Sequence, residues 1–112
     1  MAMGYYVLSK AKDNQFYFNL KAGNHETILT SERYTTKEAA HKGIASVQSN
    51  SPDESNFEYK TSVRGEPYFV LKAKNHQVIG TSEQYSAQEA AKKGVQSVIA
   101  NGPTADIRDK TL

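Results

Sequence analysis

One stretch of this chain is written twice, and that repetition leaves few folds open to it. Thr30-Ser31-Glu32-Arg33-Tyr34-Thr35-Thr36-Lys37-Glu38-Ala39-Ala40 returns, 51 residues later and without a gap, as Thr81-Ser82-Glu83-Gln84-Tyr85-Ser86-Ala87-Gln88-Glu89-Ala90-Ala91. Each copy has the pattern of a strand end, a sharp entry and the first turn of a helix. The rest of the chain repeats around it at the same offset. A fixed internal period means one supersecondary unit used twice.

The first unit opens at Tyr5 to Lys10, whose Tyr and Val content favours a strand. Lys12-Asp13-Asn14, and Val63-Arg64-Gly65 in the second copy, are turns in which Asn or Gly can take a positive φ. Phe16 to Lys21 alternates strictly, with Phe16, Phe18 and Leu20 on one face and Tyr17, Asn19 and Lys21 on the other. A second turn at Ala22-Gly23-Asn24-His25 leads to a third strand, Glu26 to Glu32, with Ile28 and Leu29 expected on opposite faces. Asn24 is the residue expected to supply the positive φ of that turn. Asn56 to Val63, Pro67 to Lys72 and Val78 to Glu83 replay these strands, and Thr104 to Thr111 can form a short final one.

Thr35 fits a helix N-cap, with the Glu38 carboxylate closing a capping box and Tyr34 stapled onto Ala39. Tyr85, Ser86, Glu89 and Ala90 repeat the device. Ala39, Ala40, Gly43, Ile44 and Val47 then make one apolar stripe. Glycine inside a helix costs about 1 kcal/mol relative to alanine, yet the stripe carries one in each copy, Gly43 and Gly94. This predicts that the helix approaches the sheet, or the other helix, too closely for a Cβ.

Three strands and one helix bury too little to offset their own ordering entropy. The expected fold is therefore α+β, with two tandem β-β-β-α-β units (about 5–55 and 56–112) in one domain, 1–112. They share one mainly antiparallel sheet about a pseudo-two-fold axis, with both helices on one face. There is no cysteine in the 112 residues, which excludes disulfides, thiolate zinc sites and thiol nucleophiles. Apolar runs are far short of the ~20 residues of a membrane span. A formal net charge of +2 permits an acidic partner without announcing one.

Phe18-Asn19-Leu20-Lys21-Ala22-Gly23-Asn24, Ile28-Leu29-Thr30-Ser31-Glu32, Tyr34 and Gly43-Ile44-Ala45-Ser46-Val47 closely resemble the YegP-like family. So do Leu71-Lys72-Ala73, Ile79-Gly80-Thr81-Ser82-Glu83, Tyr85 and Gly94-Val95-Gln96-Ser97-Val98. The resemblance implies a small bacterial protein of unknown function, in the tandem form of a unit that also occurs singly and then pairs. It implies that the last strand of each unit crosses to the other half. It carries over no activity, site or cofactor. One departure is visible: the family often has Asn-Gly where this chain has Asn24-His25 and Asn75-His76.

No nucleophile–base pair, glycine-rich phosphate loop or paired-acid motif occurs. The chain is accordingly read as non-enzymatic, with no cofactor and no metal site. His25 and His76 sit at equivalent turns beside Glu26 and Gln77, and the plain reading is exposed turn residues rather than ligands. Ser31-Glu32 and Ser82-Glu83 stand before helix entries, where an anion is favoured, although local backbone bonds would satisfy the same groups. The remaining surface is the sheet face away from the helices, with Tyr17, Lys21, Tyr68 and Lys72 as candidate binding residues. Tyr34, Thr35, Glu38, Gly43, Tyr85, Ser86, Glu89 and Gly94 are structural candidates. The leading reading is a cytoplasmic interaction or structural module with a protein partner, a monomer with an internal pseudo-dimer and no membrane role. The second is single-stranded nucleic-acid binding through the sheet face. The third is a small-ligand site or enzyme at the helix entries.

Overall fold

The computed structural model describes residues 4–112. Seven strands form one sheet: β1 (Tyr5–Lys10), β2 (Phe16–Lys21), β3 (Thr27–Ser31), β4 (Phe57–Thr61), β5 (Pro67–Lys72), β6 (Val78–Thr81) and β7 (Ile107–Asp109). Helix α1 spans Lys37–Asn50 and α2 spans Gln88–Asn101, and a short 3-10 turn at Glu54–Asn56 leads into β4. The sheet order is β4-β5-β6-β3-β2-β1-β7. All neighbours are antiparallel except β1 and β7, which run parallel.

Seven strands accommodate two β-β-β-α-β units because β4 has two roles. It follows α1 as the closing strand of the first unit, and it opens the second by pairing with β5. The crossing of closing strands follows: α1 delivers β4 to the second half, and α2 delivers β7 to the first. The pseudo-axis passes between β3 and β6, where Thr30 pairs with Thr81. Next to it Leu29 faces Gly80, on which a Cβ would lie 2.6 Å from Leu29 side-chain carbons. One large and one absent side chain fill the axis where two leucines would collide.

Both helices pack on the same sheet face. Tyr6, Leu8, Phe18, Leu20, Phe69 and Leu71 from the strands join Ala40, Ile44, Val47, Val95 and Val98 from the helices in one buried cluster. The cluster draws on both halves. Ile28 and Leu29 both belong to it, against strict alternation. The β2–β3 register shifts between Leu20 and Lys21, and the extra residue of such a bulge escapes the pleat's alternation.

The helix entries correct the expected caps. Thr36, not Thr35, is the N-cap of α1, with extended backbone (φ −128°, ψ 154°), and its hydroxyl accepts from the Ala39 N–H at 3.0 Å. Glu38 is thus one residue early for a capping box with it. In α2 the cap is Ala87, not Ser86, and no side chain caps the helix, so Glu89 has no box partner either. The entry is one residue longer because Tyr34 is not a staple on the helix surface. Its ring stacks on Phe18 (6.2 Å between centroids, 9° between planes) and ends against Gly43. Tyr85, Phe69 and Gly94 repeat the arrangement at 6.2 Å and 11°.

A second correction concerns the β2–β3 and β5–β6 turns. The left-handed residues are His25 (φ 72°) and His76 (φ 69°), not Asn24 and Asn75. Asn24 and Asn75 instead accept a hydrogen bond from the N–H two residues on, at 3.1 Å in both cases. That Asx geometry hands the positive φ to the following position. At the other hairpins Asn14 (φ 68°) and Gly65 (φ 82°) are left-handed, as their side chains allow.

Candidate interaction face

The sheet face opposite the helices is crossed by one row in register: Glu58, Val70, Thr81, Thr30, Asn19, Val7 and Arg108. These side chains share a face because directly paired residues point the same way. Asn19 Nδ2 donates to Thr30 Oγ1 at 2.9 Å near the middle. Val70 is buried within this layer despite facing away from the helices.

The four candidate binding residues all lie on this face, two positions from the row, but not together. β2 and β5 run in opposite directions across the axis, so Tyr17 and Tyr68 fall on opposite sides of the row. Each tyrosine shares its side with the other half's lysine, Lys72 or Lys21 respectively. Three strand spacings of about 4.8 Å and four residues of about 3.4 Å separate the tyrosines, a diagonal of roughly 20 Å. Successive bases of one strand cannot stack on both. Lys72 is also engaged, forming an ion pair with Glu58, which lies 3.8 Å from Lys60 as well. The Lys72 hydrogen bond, then the Lys60 charge, holds the Glu58 carboxyl below its usual range.

The surroundings of the tyrosines differ. Arg33 lies over the Tyr17 ring at 5.3 Å. Lys10, Lys12, Asp13 and Arg33 line a shallow hollow of about 490 Å³ beside it. Tyr68 pairs across strands with Lys60.

Two residues that alternation alone did not mark belong to the same face. Tyr5 pairs with Lys21, and only 8% of it is exposed. Its hydroxyl meets His25 Nδ1 at 2.9 Å, and the Arg108 guanidinium covers its ring at 3.6 Å. A signal was present in Tyr5-Tyr6-Val7-Leu8, where the inward residues are Tyr6 and Leu8. The partner Arg108, a hundred residues away in sequence, was not readable.

The two serines that precede the helix entries have their hydroxyls engaged in local backbone bonds. Ser31 Oγ accepts from the Phe18 N–H at 2.9 Å and donates to the Glu32 carbonyl at 2.7 Å. Ser82 does the same with Phe69 and Glu83, at 3.0 and 2.7 Å. Each serine extends the ladder where the hairpin ends. Among the described residues no three His, Cys, Asp or Glu side chains converge to hold a metal ion, and no helix is long and apolar enough to cross a membrane.

Comparison with known proteins agrees with this architecture. The model of a domain of unknown function, DUF1508, matches twice in tandem, over residues 11–58 and 62–109. The UPF0339 protein YegP of Yersinia pestis is 60% identical over 112 residues, the whole of both chains. That of Escherichia coli K12 is 56% identical over 108 residues, covering 96% of this chain and 98% of the relative. The solution NMR structure of the E. coli protein of unknown function yegP superposes with a TM-score of 0.93 at 54% identity, covering 98% of this chain and 95% of that one. UPF0339 protein SO3888 from Shewanella oneidensis gives 0.90 at 52% identity, covering 97% and 92%.

Proposed function

This chain belongs to the DUF1508 family, and on that premise we propose that it is a non-enzymatic binding module of the bacterial cytoplasm. Its partner is a protein that contacts the helix-free sheet face. The observation that carries this reading is the placement of Tyr17 and Tyr68 at opposite corners of that face, across a central row of short or uncharged side chains. Two aromatic anchors separated by roughly 20 Å suit a flat protein surface better than one small ligand. Aromatic residues also concentrate binding energy at interfaces.

The test is capture from native lysate, with and without nuclease, by the wild type and by the double variant Tyr17→Ala, Tyr68→Ala. The reading requires a protein that survives nuclease and is lost from the double variant. Equal capture by both forms removes the sheet face from consideration.

A second reading rests on the hollow beside Tyr17, where Lys12 and Arg33 stand with Asp13. It would accept a single base against Tyr17 and Arg33 with a phosphate on Lys12. Such binding must weaken steeply with salt and lose about 1–3 kcal/mol in Tyr17→Ala alone. Fluorescent single-stranded RNA and DNA titrated at two salt concentrations decide it, and absence of binding at low salt ends it.

A further inference from the structure

The two ends of the sheet are related by the pseudo-two-fold axis but closed differently. On the β1 side, β7 adds in parallel: the Tyr6 N–H donates to the Asp106 carbonyl and the Lys110 N–H to the Leu8 carbonyl, both at 2.8 Å. Tyr5 fills the corner there, against His25 and under Arg108. On the β4 side the corner recurs at the same offset, with Lys72, Ala73 and His76 standing where Lys21, Ala22 and His25 do. The tyrosine does not recur. Asn56 takes its position and turns away, its amide donating to the Asn50 carbonyl of α1 at 3.0 Å. Among the described residues no strand lies beyond β4. What remains is a cavity of about 310 Å³, lined by Asn56, Phe57, Glu58, Lys72, Lys74 and His76 among others.

We infer that this corner binds a tyrosine side chain carried on an extended peptide that adds in parallel along β4. The chain itself supplies the template. Arg108 pairs with Val7, and its side chain reaches back over the corner that Tyr5 fills. The counterpart of Val7 is Glu58. A residue arriving opposite Glu58 therefore stands over the same corner, and with no ring in the way its side chain enters. His76 offers a phenol the partner that His25 offers Tyr5. The 3-10 turn has already taken one edge bond, since the Phe57 N–H donates to the Glu54 carbonyl. The pairing left for an incoming strand runs from there along the edge toward Tyr59. In the cavity lining Lys72 and Lys74 outnumber Glu58, so acidic residues flanking the tyrosine fit. β7 has that pattern, with Asp106 and Asp109 on either side of Arg108.

The corner lies at the β4 end of the same sheet face, lined by neither Tyr17 nor Tyr68, and the experiment separates the two readings. The isotope-labelled full chain is titrated by NMR with peptides of residues 104–111, unchanged or carrying Arg108→Tyr or Arg108→Ala. The Arg108→Tyr peptide is expected to move the amides of Phe57–Thr61, Ala73 and His76. It should bind about five-fold or more tighter than the Arg108→Ala peptide, the worth of one hydrogen-bonded side chain. His76→Ala should reduce that preference, and Asn56→Tyr, which fills the corner from within, should abolish binding. Tyr17→Ala with Tyr68→Ala should leave the titration unchanged. Equal binding of the two substituted peptides, shifts confined to β1 and β7, or undiminished binding by Asn56→Tyr would each overturn the inference.

Discussion

A Cβ placed on Gly43 would stand 2.3 Å from the Tyr34 hydroxyl oxygen, and one on Gly94 would stand 2.3 Å from that of Tyr85. The two helical glycines are therefore seats for two tyrosine rings, which reach under the helices from the loops that precede them. Behind each ring lies a phenylalanine, Phe18 or Phe69, 3.0 or 2.9 Å from the same imagined Cβ. Burial, and then the charge of Glu32 or Glu83, pushes both phenols above their ordinary range. The close approach expected from sequence is thus between helix backbone and a side chain, not between backbones.

Gly43→Ala is predicted to destabilise the protein by about 1–3 kcal/mol through overpacking, although alanine is intrinsically the better helix former by about 1 kcal/mol. In a Tyr34→Ala background most of that cost should vanish, because the nearest obstacle has gone. Denaturant midpoints of the four members of this cycle check it. Additive effects would mean that Tyr34 is not what excludes the Cβ.

His76→Gly is predicted to stabilise by about 1 kcal/mol, since a left-handed residue with a Cβ is strained by that order. His25→Gly should gain less, because it forfeits the bond to Tyr5. Urea denaturation of both single variants gives the comparison, and a larger gain at position 25 would contradict it. His76→Gly should also weaken the tyrosine peptide described above, which separates its local from its global effect.

Asp109 ties β7 to the start of α1. Lys37 Nζ lies 2.6 Å from its carboxylate, and this bond, followed by the Thr111 hydroxyl and amide, holds the carboxyl at about 2 against an ordinary 3.8. A carboxyl depressed in the folded state adds stability that is complete above its unfolded value and lost as pH falls toward the folded one. Docking of β7 should therefore loosen between about pH 4 and pH 2, with Ile107–Asp109 amides shifting before the core. Asp109→Asn should remove that step. An unchanged low-pH titration of these amides in Asp109→Asn would show that another group is responsible.

The buried cluster takes Phe18, Leu20 and Ile44 from one half and Phe69, Leu71 and Val95 from the other. A fragment ending at about Val63 would keep β4 without β5 and the sheet without its far half. It is predicted to be unfolded when dilute or to pair with itself. Sedimentation and NMR dispersion test this, and a cooperatively folded monomeric fragment would mean that the halves are independent domains.

The sequence by itself determined the repeat, the strand and helix content and the inward side of each regular strand. Those properties are local: alternation in Phe16 to Leu20, an apolar stripe from Ala40 to Val47, turn residues at fixed places. It also marked Gly43 and Gly94, because a helical glycine on a buried stripe has a cost that something must offset. Only the tertiary structure decided what depends on which segments meet. Thr36 caps α1 in place of Thr35 because Tyr34 must reach Gly43 and Phe18 before the helix can start. Antiparallel pairing of β3 with β6 sends Tyr17 and Tyr68 to opposite corners, which no period within β2 or β5 could reveal. The parallel seat of β7 beside β1 covers Tyr5 with Arg108, while β4, its counterpart in the repeat, is left as an open edge. Two units of one architecture acquire different surroundings because β4 serves as closing and opening strand at once, whereas β1 is joined by a separate closing strand, β7.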